Sequence, residues 1–305
     1  MARKLPVTVL LVGLIGVSVL IVAWAAGEDS PDTAPPPPGD TVATFIPIVF
    51  ESYRSGNEDL WTKDLAGSTA PTKFISHPAN DIHPACSKDG SKVAFASDRV
   101  GNFEIYSCNS DGTGLKRLTI ASNYDTFPCW GSNDTRIVFS REMSEYTSRL
   151  VIMNADGTNT KPLTSGNAKD VEPDWSPVAP WIAFVRGSHI FKIKSDGTGL
   201  KQLTSGASEN LNPAWSPDGK LIAFDSNRDG GSEIYTMKPD GSGVTRLTQN
   251  SAYDVEPTWY GSGNRIAFAS DRLAGVFHIF TMDADGSNQV ARTGGTKADK
   301  HPDYR

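Results

Sequence analysis

Residues 212–248 read NPAWSPDGKLIAFDSNRDGGSEIYTMKPDGSGVTRLT. Short apolar runs, Ile222-Ala-Phe224 and Ile234 to Met237, are separated by Pro217-Asp-Gly219 and Asp240-Gly241. Asp-Gly between apolar runs marks a hairpin, because these residues tolerate positive φ. No stretch of useful length has helical spacing. The segment therefore parses into four short strands: Pro-x-Trp-Ser, Ile-Ala-Phe, Glu-Ile-Tyr-x-Met, and a last one ending in Leu247-Thr248.

The same unit recurs on both sides. Apolar triplets end at Phe50, Phe95, Phe139, Phe184, Phe224 and Phe268, with gaps of 45, 44, 45, 40 and 44 residues. A marker proline recurs at Pro84, Pro128, Pro173, Pro213, Pro257 and Pro302. A period of about 40–45 residues is the length of a four-stranded propeller blade. Helical solenoids share the period but not the β-branched and aromatic pattern with Gly turns. The first unit starts at strand two, and the chain finishes on a lone strand-one element, His301-Pro-Asp-Tyr304. Laying that element beside Ile48–Phe50 pairs both free edges. The expectation is an all-β, six-bladed β-propeller of four-stranded blades, its ring closed by the C-terminal strand joining the first blade.

The runs DVEPDWSP (170–177), 212–248 and DVEPTWYGSGNRIAFASDR (254–272) resemble the blade repeats of the TolB-type propeller family. Similar repeats occur in many extracytoplasmic propellers and in prolyl oligopeptidase-type enzymes. The resemblance covers residues 42–305, without the α/β domain that precedes the propeller in TolB. It implies a protein-binding role in the cell envelope, with one end of the central channel as the partner-binding face.

Ahead of the repeats, Arg3 and Lys4 precede an uncharged stretch from Leu5 to Gly27. Its length approaches the roughly 20 residues that span a bilayer, and basic residues before it favour an external body. Residues 1–27 read as a signal anchor or, with Ala23, Ala25 and Ala26 as a cleavage site, a signal peptide. Residues 28–40 (EDSPDTAPPPPGD) form a Pro-rich linker, a polyproline II spacer or a disordered tail. Residues 41–305 are the propeller. The expected location is extracytoplasmic, periplasm or cell surface.

The chain has 305 residues, 28 Gly, 20 Pro and a formal net charge of −6. A mildly acidic chain without a basic run is a poor partner for nucleic acid. Cys86, Cys108 and Cys129 lack metal-ligand spacing and read as buried core residues, one bridge being open to an oxidising compartment.

Features repeated in every blade point to structure. Trp130, Trp175, Trp215 and Trp259, with Cys86 and Tyr304 in the same place, are expected between blades. Asp81, Asp125, Asp170, Asp254 and Asp299, with Asn210, precede the marker prolines by three residues. Topology sets them on one face with Arg54, Arg99, Arg228 and Arg272, for Asp–Arg pairs or Asp–backbone bonds, against a functional carboxylate ring. DADGSN (283–288) reads as a turn rather than a calcium loop.

Features that vary between blades are where a site can lie. The residue before each marker proline is, in ring order, His301, His83, Phe127, Glu172, Asn212 and Glu256. These six are the candidate binding residues, placed at the channel mouth on the Asp–Arg face, with Glu172 and Glu256 across from the two histidines. They suit a peptide or a partner loop. A weaker reading has His83 and His301, with Asp81 and Asp299, bind a transition metal. A clipped loop at Arg186-Gly-Ser-His189 suggests a notch in the rim. No G-x-S-x-G, H-E-x-x-H or phosphate loop occurs, so a binder without cofactor is favoured over an enzyme. A channel-metal-dependent hydrolase or lyase is the alternative. The expected partners are an envelope protein or peptide and, through the N-terminus, the membrane, with the propeller itself a monomer.

Overall fold

The structure, a computed structural model, describes residues 47–304 apart from 66 and 68. The expected anchor and linker lie outside the described residues, among which no helix is long and apolar enough to cross a membrane.

The repeats fold into six four-stranded antiparallel sheets arranged as a ring. The innermost strands are Asp81–Cys86, Asp125–Trp130, Asp170–Trp175, Asn210–Trp215, Asp254–Tyr260 and Asp299–Asp303. The last of these pairs with Ile48–Ser52, setting Glu51 opposite Lys300 and Ser52 opposite Asp299. Ring closure by the two chain ends is thus as the sequence predicts.

Packing runs from blade to blade. All six marker phenylalanines are fully buried. Trp130 packs on Ile82, Ala85 and Ile105 of the preceding blade, and Trp259 on Ala223 and Ile234 in the same way. At the closure, Tyr260, Ala267 and Ile279 pack on Ile48 and Phe50. No blade could bury these faces alone, so apolar burial and ring closure depend on each other. The three cysteines are buried, and burial pushes the Cys108 thiol up to about 12.

The repeated polar residues hold loops. Arg54–Asp299, Arg99–Asp81 and Arg272–Asp254 pair as expected, and Arg228 donates to Asn210. Two blades use an arginine two residues nearer the phenylalanine. Arg141 and Arg186 form two-pronged bonds to Asp125 and Asp170 at 2.6–2.7 Å. The Asp-Gly elements are turns: Asp285 Oδ1 accepts from Ser287 N and Oγ at 2.9 and 2.6 Å, as Asp111 does from Thr113. Gly286 is at φ 89°, and a Cβ there would meet the Leu247 carbonyl at 2.4 Å.

Candidate functional site

Each innermost strand carries a bulge at the residue before its proline. Register shifts fall between Ile82 and Ala85, Thr126 and Cys129, Val171 and Asp174, Leu211 and Ala214, and Val255 and Thr258, with a matching irregularity at Val49/Glu51. The bulged residues His83, Phe127, Glu172, Asn212, Glu256 and His301 all have φ between 45° and 57°. This left-handed region is unfavourable for side chains with a Cβ, and a following proline normally imposes an extended backbone. Six symmetric exceptions mean that the ring over-determines them.

A bulge frees its N–H from the sheet ladder. Carboxylates of the preceding blade take up four of these groups. Glu172 Oε2 accepts from Asn212 N at 2.8 Å, Asp225 Oδ1 from Glu256 N at 3.0 Å, and Glu256 Oε2 from His301 N at 2.7 Å. Glu51 Oε1 accepts from His83 N. Glu51 and Asp225 directly follow marker phenylalanines, where the other blades have Ala96, Ser140, Val185 and Ala269. Sequence reasoning missed both acids. The signal was a charge in a series otherwise small or apolar.

On one side of the ring the side chains converge. His83 stacks on Phe127 with ring centroids 3.6 Å apart, and the His301 ring meets His83 edge-on at 4.8 Å. His301 Nδ1 lies 3.2 Å from Glu51 Oε2 and its Nε2 3.3 Å from Glu256 Oε1. Burial alone would lower the His301 pKa, but Glu256 and Glu51 raise it to about 10. Burial pushes Glu51 up, yet the His301 charge and hydrogen bond, with His83, bring it down to about 2. Burial lowers His83 to about 3. Across the ring, burial raises Glu172, and it raises Asp225 to about 7 against the hydrogen bonds from Asn212 and Glu256. A charged His301–Glu51 pair therefore faces a second pair of acids that hold their protons more tightly than usual.

All six candidate residues line one cavity of about 320 Å³. Its wall is apolar, made of the marker prolines with Phe127, Trp215, Trp259 and Tyr304. From the bulged residues the wall follows the innermost strands outward to Lys88, Pro177, Pro217 and Gly261. Lys88 and Gly261 are exposed, so the cavity opens on the face of the strand-one to strand-two turns. Lys88 Nζ reaches Pro177 O at 3.1 Å, so its side chain bridges two turns at the opening.

Three expectations need correction. The six residues form the inner end of a funnel whose wall runs to the strand-one to strand-two turns at Lys88, Pro177, Pro217 and Gly261, on the face opposite the Asp–Arg pairs. Glu256 does not stand across from the histidines; ring closure makes it a neighbour of His301. Asp81 and Asp299 are held by Arg99 and Arg54, and the acid beside both histidines is Glu51. The clipped loop exists as a tight hairpin pairing Arg186 with His189, but none of its residues lines the cavity.

Fold and site together define a closed six-bladed propeller with an acidic, aromatic-walled funnel on its axis. The description of the TolB beta propeller domain matches residues 45–186 and 131–304, and the chain belongs to that family. Over 83 residues it is 30% identical to the Tol-Pal system protein TolB of Anaeromyxobacter dehalogenans, a match spanning 27% of this chain and 19% of that protein. TolB of Acinetobacter baumannii superposes with a TM-score of 0.73 at 21% identity, over 86% of this chain and 67% of that one. An oligogalacturonate lyase in complex with manganese shares the fold at a TM-score of 0.59 and 14% identity, over 80% of this chain and 73% of that one.

Proposed function

We propose that this chain is an extracytoplasmic binding scaffold of the cell envelope, and that the funnel takes a peptide or a protruding loop of a partner protein. The observation that carries the reading is the funnel itself: an apolar wall of prolines and aromatics around a small number of buried polar groups, the usual build of a recognition site. Its acids favour a guest segment that presents a cation or N–H donors. The relatives named for the Tol-Pal system support an envelope setting.

The same geometry favours a binder over an enzyme. Glu51, Glu172, Asp225 and Glu256 each accept an N–H from the next blade. Asp174 and Asp303 do likewise for Trp215 N and Cys86 N. Each of these bonds ties a carboxylate to a bulge or a blade seam, so the funnel's acids already serve the fold, as buried polar groups with hydrogen-bond partners do. The test is capture from the native envelope by the full chain, with the Phe127→Ala/Glu172→Ala double variant as comparison. A partner held by the wild type and lost by the folded variant supports the reading. Equal capture by both overturns it.

A further inference from the structure

We propose that Glu51, His83 and His301 form a site for a divalent transition metal, with Glu256 as the residue that orients His301. One potential ligand atom from each of the three lies within 4.8 Å of the others. Two imidazoles and a carboxylate are a donor set that suits zinc and its first-row neighbours.

The geometry is close to what such an ion needs. Metal–ligand bonds of about 2.0–2.1 Å in a tetrahedron set neighbouring donors about 3.3 Å apart. Glu51 Oε2 and His301 Nδ1 already stand 3.2 Å apart. The third donor lies within 4.8 Å of these two, about 1.5 Å beyond the tetrahedral spacing. Glu256 Oε1 lies 3.3 Å from the far nitrogen of His301. The ion takes the place of the proton on Nδ1, which is released to solvent, while the Glu256 carboxylate keeps the proton on Nε2 and so fixes Nδ1 as the ligating atom. His83 Nδ1 is shut off from solvent without a hydrogen-bond partner, an arrangement that calls for an explanation in an interior.

The three ligands come from the strands Ile48–Ser52, Asp81–Cys86 and Asp299–Asp303. The first and last of these are the strands that pair to close the ring, and the second belongs to the first complete blade after them. A metal here staples the closure, and its remaining coordination positions face the funnel, open to water or to a donor of the guest.

The test is calorimetric titration of the chelator-treated full chain with Zn²⁺, and separately Mn²⁺, alongside melting curves. The expected result is one equivalent of Zn²⁺ bound with a rise in melting temperature. His83→Gln and His301→Gln should each weaken binding tenfold or more, and His77→Gln, outside the cluster, should not. Glu256→Gln keeps all three ligands and should weaken Zn²⁺ about 10–100-fold, which gives a readout even where a ligand variant folds poorly. Absence of binding by the wild type, binding that survives in both ligand variants, or loss in His77→Gln overturns the site. Unchanged affinity in Glu256→Gln overturns the orienting role. Partner capture is not involved, so a negative result here leaves the scaffold reading standing.

Discussion

Glu51 and His301 face each other at 3.2 Å across the seam where the first and last described strands pair. Glu256 closes the other side of the imidazole, and Glu172 adds to its field. His301 is raised to about 10, so its contribution to stability is complete below its unfolded value near 6.5 and is lost as pH rises through 10. Glu51 is lowered to about 2, so its contribution is complete above 4.5 and is lost as pH falls through 2. These two contributions are both complete between those unfolded values, and the metal-free protein should weaken steadily from neutral pH toward pH 10. His301→Gln should flatten the alkaline slope and cost about 3–5 kcal/mol at pH 6. An unchanged slope in the variant would show that the pair does not set it.

Asp225 behaves in the opposite sense to Glu51. Its carboxyl is raised to about 7 by burial, so its folded-state advantage belongs to the protonated form and is lost as pH rises from about 4 to 7. Asp225→Asn keeps an oxygen to accept from Asn212 Nδ2 and Glu256 N, the two bonds Asp225 makes at 2.8 and 3.0 Å. Its melting temperature at pH 8 should equal or exceed that of the wild type. A loss at pH 8 as large as at pH 4 would contradict this.

The Asp–Arg face should be structural. Arg141 grips the fully buried Asp125 through Nε and Nη2, both at 2.7 Å. Arg141→Ala leaves a buried carboxylate unpaired and should destabilise by about 3–5 kcal/mol, read from chemical denaturation. Funnel binding by the fraction that stays folded should be unaffected. Lost binding at unchanged stability would make this face functional instead.

Ring closure should be all-or-none. Ending the chain at Ala298 removes the strand Asp299–Asp303 and exposes the edge of Ile48–Ser52. Gel filtration and melting should report aggregation and loss of a sharp transition. A soluble, cooperatively folding product would show that the seam contributes little.

What was legible in the sequence was what repeats. Phe224, Pro213 and Asp240-Gly241 recur because every blade needs the same buried ring, strand start and turn, so their spacing gave fold, blade count and closure. The variable residues before the prolines were legible as one ring, since position within the repeat fixes position around the axis. The direction of the funnel was not, because it depends on left-handed backbone at residues such as Glu172 that a following proline ordinarily keeps extended. Glu51 and Asp225 were hidden for a related reason. They follow a core phenylalanine in a register that elsewhere carries Ala96 or Val185, and only the bulge opposite turns that register into a cap for the next blade. Arg141 and Arg186 escaped because they reach the same acid from a position two residues earlier.

The most direct measurement compares the two faces of the ring. A photo-reactive side chain is placed at position 88, exposed at the funnel's opening, or at position 120, where Ile120 is 85% exposed and does not line the funnel. Each full chain is irradiated in its native envelope. A single partner cross-linked from position 88 and not from 120 is the predicted result. A partner cross-linked only from position 120, or equally from both, would contradict a scaffold that binds through the funnel.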